Sequence, residues 1–206
     1  MNRLLAVLGG CLLVACTGGL RKQPAAEAYD LGLPAERLAG DGRWSTVALE
    51  IRAPYWFDSL GIEYRLLYEN PLKLRSYAAS RWAGAPSQLL AQRLRQQLGF
   101  VSVSGRTAGA CLLRIELQEF SQVFATPQQS RAVLHGQASL LDARQQMVGE
   151  RLIAVESAAT TADARGAVTA LAAASSEFGQ QLAAWLNDLE KRGRLKHCSP
   201  TAVESK

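Results

Sequence analysis

Apolar and polar residues alternate along several stretches of the chain, a pattern typical of β-strands with one buried and one solvent-exposed face. The alternation is clearest at Leu113, Ile115 and Leu117. Further strands are predicted over residues 47–52, 62–68, 72–77, 100–104, 131–142 and 147–156. The Glu69-Asn70-Pro71 turn makes a hairpin of 62–68 and 72–77, and the three strands between 111 and 156 should form an antiparallel meander.

Two segments instead show helical spacing. The first runs from Pro86, which suits a first helical turn, to Leu98, with Gly99 as its C-terminal cap. Its leucines recur on one face, and the polar face carries Arg93. The second helix is predicted over residues 163–192.

One apolar seam runs along the second helix. Its members are Ala164, Val168, Leu171, Ser175, Phe178, Leu182, Trp185 and Leu189. At about 1.5 Å per residue the helix is about twice as long as an ordinary strand. We therefore expect it to overhang the sheet or to break near Gly166 or Gly179. The elements together predict an α+β fold, a mixed, mostly antiparallel sheet with two main helices packed on it, as a single domain over residues 29–198.

The amino-terminal residues have the layout of a secretory signal peptide. An apolar run of about a dozen residues follows Arg3 and ends at Val14. We expect residues 1–15 to be the signal peptide and the chain to be exported. An uncleaved membrane anchor is the weaker alternative, because a bilayer core takes about 20 apolar residues.

The run ends in Leu13-Val14-Ala15-Cys16, which resembles the lipobox of bacterial lipoproteins. The resemblance implies cleavage just before Cys16 and acylation of Cys16 with chains such as palmitate. Residues 16–28 would then be a lipidated tether, and residues 199–206 a flexible tail. The alternative is that Cys16 is an ordinary cysteine of the apolar run and that cleavage falls elsewhere.

Lipoproteins kept in the inner membrane usually resemble one another in having Asp after the acylated cysteine, and this chain has Thr17 there. We therefore expect a lipid-anchored protein of the outer membrane that faces the periplasm. The formal net charge of +5 comes from 23 Lys and Arg against 18 Asp and Glu. After export this charge suits lipid headgroups or a solvated surface, and we expect no nucleic-acid partner.

Two cysteines, Cys111 and Cys198, remain after the amino-terminal pair is set aside. In an oxidising compartment two leftover thiols suggest one disulfide. The alternative is two unpaired thiols, because the sequence does not show whether the two Cα atoms come within bonding distance.

The chain offers few groups for catalysis. His135 and Ser139 share a strand face but lie about 13 Å apart, too far for a nucleophile and its base. Glu116 and Glu119 fall on opposite faces of their strand unless a bulge intervenes. No phosphate loop, zinc spacing or dinucleotide fingerprint is present. We expect no enzyme, no cofactor and no metal site.

Three consecutive aromatic residues, Tyr55, Trp56 and Phe57, fall in a predicted loop. A solvated connection does not require them, and aromatic side chains are favoured anchors in protein interfaces. They are our candidate residues for contact with a partner. The alternative is that they fold back over the sheet as part of the core.

Several motifs in order along the chain resemble the ABC-type transport auxiliary lipoprotein family. These are Tyr29-Asp30-Leu31-Gly32, Ala53-Pro54-Tyr55-Trp56, Tyr64-Arg65-Leu66-Leu67-Tyr68, Tyr77 with Ser80-Arg81-Trp82 and Pro86, Phe120-Ser121-Gln122-Val123-Phe124 and Thr161-Ala162-Asp163-Ala164. The resemblance spans nearly the whole mature chain.

The resemblance implies a periplasmic α+β domain without catalytic residues. Its partners would be an ABC permease, its ATPase and a periplasmic protein of the mammalian-cell-entry type, which together move lipids or other apolar molecules between the two membranes. The rival interpretation is a structural or assembly lipoprotein of the outer membrane, unconnected with transport. The cargo, the docking surface and whether the chain forms a homo-oligomer stay open.

Overall fold

The structure is a computed structural model that describes residues 25–40, 43–105 and 110–198. The predicted signal peptide, Cys16, the tether up to residue 24, the loop at 106–109 and the tail at 199–206 lie outside the described residues.

Eight strands and two helices make up the described chain. The strands are β1 (Glu27–Tyr29), β2 (Val47–Arg52), β3 (Gly61–Leu66), β4 (Asn70–Trp82), β5 (Val101–Ser102), β6 (Cys111–Thr126), β7 (Gln129–Leu141) and β8 (Met147–Ala158). The helices are α1 (Pro86–Leu98) and α2 (Ala164–Lys191), and short 3₁₀ turns occur at Val103–Gly105 and Arg194–Cys198. The predicted strand at 100–104 is therefore only two residues long.

The sixteen-residue strand β6 organises one mixed sheet. Along one edge, its first half pairs with β2 and its second half with β3, both parallel. Along the other edge it pairs antiparallel with β7, which pairs antiparallel with β8. On its far side, β3 pairs antiparallel with β4, and β4 pairs parallel with β1. The short strand β5 pairs parallel with β2. The predicted meander and the predicted α+β class are confirmed.

Both helices pack on one face of the sheet. Register pairs Leu49 with Leu113 and Ile51 with Ile115, so the apolar sides of β2 and β6 point the same way. These residues share one core with the leucines of α1 and with Leu171, Phe178 and Leu182 of α2, as the seam predicts. Burial of this apolar area is the main stabilising term of such a domain.

Helix α2 runs from Ala164 to Lys191 without interruption, so the predicted break near Gly166 or Gly179 is wrong. The helix is about 42 Å long at 1.5 Å per residue, and the unusually long strands β6 and β7 give it a sheet of matching length. The two glycines instead allow neighbouring atoms to lie close to the helix backbone. A Cβ on Gly179 would lie 2.7 Å from Gln97 Oε1 of α1, and one on Gly166 would lie 2.0 Å from the Thr161 carbonyl oxygen.

The sheet has two distinguishable ends. The β3–β4 turn, the β6–β7 turn and the start of α2 lie together at one end, where Leu67 N–H donates to the Phe124 carbonyl and Ala159 N–H to the Ser130 carbonyl. We call this the hairpin end. The β7–β8 turn and the close of α2 lie at the other, where the Arg194 guanidinium donates to the Val148 carbonyl. We call this the disulfide end, after the bond described below.

The folded part begins earlier than Tyr29. Glu27 and Ala28 lie in β1, opposite Ser80 and Arg81 of β4, so the predicted tether of residues 16–28 loses its last two residues to the sheet. Because β1 runs parallel to β4, the chain enters β1 from the side of the hairpin end. This direction follows from the register alone.

Asp163 caps helix α2 at the hairpin end. Its carboxylate accepts hydrogen bonds from the Gly166 N–H at 2.8 Å and from the Thr161 hydroxyl at 2.7 Å. The backbone bond first, and then the hydroxyl bond, lowers the pKa of the carboxyl group. The bond from Gly166 satisfies one of the free N–H groups in the first turn of the helix, and the Thr161 hydroxyl holds the capping carboxylate in place.

We predict that Asp163→Ala lowers the free energy of unfolding by about 1 kcal/mol, since it removes the cap. The native pKa is lowered, so the capping charge contributes fully above the unfolded value near 3.9, and this contribution is lost as pH falls from there towards the native pKa. Urea unfolding from pH 7 to pH 3 measures both effects. Asp163→Asn is the control, because Asn keeps a cap acceptor but has no charge to titrate. An Asn variant with the parent's full pH dependence would contradict the assignment.

Candidate functional site

The aromatic loop between β2 and β3, residues 53–60, presents two of its three rings to solvent. Tyr55 is 84% exposed and Trp56 is 48% exposed. Their ring centroids lie 4.9 Å apart at 81°, the edge-to-face arrangement that aromatic pairs favour. The structure therefore leaves Tyr55 and Trp56 as candidate contact residues.

Phe57 points the other way and is only 2% exposed. The inclusion of Phe57 in the contact set is therefore wrong, and for this ring the alternative of a core position is right. Hydrogen bonds also fix the loop. The N–H groups of Phe57 and Asp58 donate to the Pro54 carbonyl, and the Ser87 hydroxyl of α1 donates to the Asp58 carboxylate. Three consecutive aromatics in sequence do not reveal which ring turns inward.

Cys111 and Cys198 are joined by a disulfide with a Cα–Cα distance of 4.8 Å, and both are buried. The bond ties the first residue of β6 to the 3₁₀ turn after α2. The structure thus contains the predicted bond and not the alternative of two free thiols.

Arg93 is buried on α1 and not solvent-exposed, contrary to the predicted polar face. One guanidinium nitrogen donates to the carbonyls of Leu31 and Gly32, at 2.8 and 2.9 Å, and the other donates to Ser176 Oγ of α2 at 2.7 Å. Burial lowers the pKa of Arg93. The Tyr29-Asp30-Leu31-Gly32 motif is therefore the segment that Arg93 fastens to the helix pair.

Other motif residues, distant in sequence, meet beneath the β3–β4 hairpin. The Tyr64 ring lies 4.7 Å from Tyr77 and 6.0 Å from Phe124 between centroids. The Tyr77 hydroxyl donates to Gln122 Oε1 at 2.6 Å, and Gln122 Nε2 donates to Ser130 Oγ at 2.8 Å. Burial is the main cause that raises the pKa of Tyr77, which keeps its hydroxyl a donor. This cluster secures the hairpin to the sheet.

Glu116 and Glu119 share the outer face of β6. A bulge between Leu117 and Glu119 shifts the register, so Glu116 lies opposite Gln137 and Glu119 opposite His135. The prediction of opposite faces held only without such a bulge. Glu119 accepts from Arg65 at 3.4 Å and from Ser121 at 2.6 Å, as a paired surface carboxylate does.

The described residues hold no group of three or more His, Cys, Asp and Glu side chains placed to bind a metal ion. A groove of about 310 Å³ lies between β2 and α1, lined by Leu49, Ile51, Ala91 and Val103 among others. Its size is at the lower end of pockets that take small molecules. Among helices of the described chain, none is long and apolar enough to span a bilayer.

The model of one protein family, described as the ABC-type transport auxiliary lipoprotein component, matches residues 29–183. The chain belongs to this family. The match covers every motif from Tyr29 to Ala164 that resembles this family, and it includes the aromatic loop and Arg93. No curated protein matches the chain.

Solved structures share the fold of this family member. A crystal structure of a Xanthomonas campestris protein is 19% identical, with a TM-score of 0.66, and the match covers 82% of this chain and 98% of that one. A second crystal structure, titled as an uncharacterized protein, is 16% identical with a TM-score of 0.61, covering 79% and 99%. These likenesses show the fold of the auxiliary lipoprotein and not its activity.

We predict that the double variant Cys111→Ala, Cys198→Ala unfolds with a free energy about 4 kcal/mol lower than the parent, because the bond closes a long loop in the unfolded chain. Urea titration measures the loss. Thiol counting on denatured, unreduced parent protein is the companion measurement, and two reactive thiols from these positions would contradict the bond.

Proposed function

We propose that this auxiliary lipoprotein is anchored by acylated Cys16 in the outer membrane, faces the periplasm, and holds a partner protein of an ABC transport system. The partner class is a periplasmic protein of the mammalian-cell-entry type, working with a permease and its ATPase. The cargo class is lipids or other apolar molecules. Family membership supports the transport context, and the aromatic loop supports docking.

The exposed Tyr55–Trp56 pair is the observation that carries this proposal. Large aromatic side chains contribute most when they enter a pocket of a partner, and they lose little entropy when the free loop already holds them in place. The buried Phe57 ring and the Asp58–Ser87 hydrogen bond fix the loop before binding. Leu60, at the end of the same loop, is also exposed and extends the apolar contact area.

The location of the loop suits docking. It joins two strands that follow one another along a single edge of β6, so the sheet holds both of its ends. Because the loop is attached to the sheet at both ends, a partner bound to it takes a defined position relative to the domain. The anchor supplies the other fixed point, since several acyl chains make membrane attachment effectively permanent.

We predict that Trp56→Ala weakens co-purification with the mammalian-cell-entry type partner by about tenfold or more in dissociation constant, as expected for an aromatic anchor. Its melting temperature should change little, because the ring is half exposed. Phe57→Ala should instead lower stability by about 3 kcal/mol through loss of a buried aromatic ring. Pull-down and thermal melting measure the two effects.

Leu152→Ala is the matched control, since Leu152 is an exposed apolar residue on β8, away from the loop. If Trp56→Ala binds like the parent while Leu152→Ala does not, the docking face lies elsewhere. If the parent chain associates with no mammalian-cell-entry component, the structural or assembly lipoprotein of the outer membrane becomes the better interpretation.

We predict that the mature chain begins at an acylated Cys16, which intact-mass measurement checks. Cys16→Ala should block lipid-dependent processing and abolish normal sorting. Thr17→Asp should keep the acyl chains but retain the protein in the inner membrane, which membrane fractionation detects. A mature chain that starts at any other residue would overturn the anchor.

A further inference from the structure

The tip of the β3–β4 hairpin carries exposed apolar side chains. Leu67, Tyr68 and Leu72 are all exposed there, and Leu72 reaches 89%. All residues from 67 to 73 are exposed, although the base of the hairpin is held by the Tyr64–Tyr77–Phe124 ring cluster. The tip is therefore firmly supported and presents apolar groups that the described chain leaves exposed.

Strand β1 runs parallel to β4, so Glu27 is the end of β1 that faces the hairpin end, and it lies opposite Ser80. Eight residues of β4 separate Ser80 from Leu72, at most about 26 Å. Residues 16–26 can span about 36 Å when extended, so Cys16 can reach the level of the tip.

The charges of the tip also suit a lipid surface. Lys73 is exposed beside Leu72, and the one carboxylate of the turn, Glu69, accepts a hydrogen bond from Arg75. The adjoining β6–β7 turn, Ala125 to Gln128, is exposed and contains no acidic residue. Lysine favours lipid phosphates, and tyrosine is enriched where a membrane meets water.

We propose that Leu67, Tyr68 and Leu72 insert into the surface of the bilayer that holds the acyl chains of Cys16. The inference rests on the lipid anchor of the proposed function. Lipid and hairpin together then contact the membrane at two points, which fixes the orientation of the domain: the hairpin end lies on the bilayer and the disulfide end points into the periplasm.

A single introduced thiol tests this orientation. With Cys16 acylated and Cys111 bonded to Cys198, Leu72→Cys supplies the one free thiol of the mature chain. The full-length acylated variant carries a bimane label and is reconstituted into phosphatidylcholine and phosphatidylglycerol vesicles with or without nitroxide-labelled lipid. Met147→Cys is the matched control, because Met147 is an exposed apolar residue at the disulfide end. Tyr68→Cys repeats the measurement at a second tip position.

We expect labels at positions 72 and 68 to shift to the blue and to be quenched several-fold more by nitroxide lipid than a label at 147. Equal quenching at both ends would overturn the proposal. A blue shift at 72 without quenching would also overturn it, because the tip would then be covered by a partner protein or a second copy. Melting temperatures equal to the parent's show that the variants are folded.

Vesicle flotation separates this proposal from the anchor. Protein that floats with the vesicles but leaves the tip label unquenched refutes the hairpin contact and leaves the anchor at Cys16 intact. Parent protein that does not float refutes the anchor and the hairpin contact together.

Discussion

Hydrogen bonding along both edges of β6 is the interaction on which the rest of the structure depends. One edge takes β2 and then β3 in series, and the other takes β7 along nearly its full length. The interval between β2 and β3 creates the aromatic loop, and the far end of β3 begins the hairpin. Helix α2 has an unbroken surface to cover only because β6 and β7 are so long. Removing the pairing of this one strand would separate the loop, the hairpin and the long helix from one another.

Two groups of exposed apolar side chains lie apart from each other in the structure. Tyr55 and Trp56 lie in the loop between β2 and β3, whereas Leu72 and its neighbours lie at the hairpin end. If the hairpin end rests on a membrane, the aromatic loop stays open to the periplasm from the side. One surface can then hold the lipid bilayer while the other holds a protein, with no competition between the two contacts.

Local patterns in the sequence predicted most of the elements because they depend on neighbouring residues. The bounds of α1 and the meander follow from spacing, proline and glycine signals. Contacts between distant residues decided the rest. Arg93 lies buried where the carbonyls of Leu31 and Gly32 accept hydrogen bonds from its guanidinium group, and nothing in the helical spacing shows those acceptors. The bulge before Glu119 has the same origin, since it depends on the pairing of β6 with β7. The burial of Phe57 is likewise a property of the folded domain and not of the local sequence.

The short strand β1 has a mechanical consequence. If the chain is anchored and docked as proposed, a force between the anchor and the partner enters the domain at β1. This strand is secured by three paired residues of β4 and by the hydrogen bonds from Arg93 to the carbonyls of Leu31 and Gly32. A strand pulled along its own axis loads its hydrogen bonds in shear, so they share the tension and do not open one by one. The disulfide between Cys111 and Cys198 closes the carboxy-terminal half into a covalent loop that this line of tension does not cross. Under such a force the pairing of β1 with β4 would therefore separate first, while the part of the domain from β6 to α2 stayed folded.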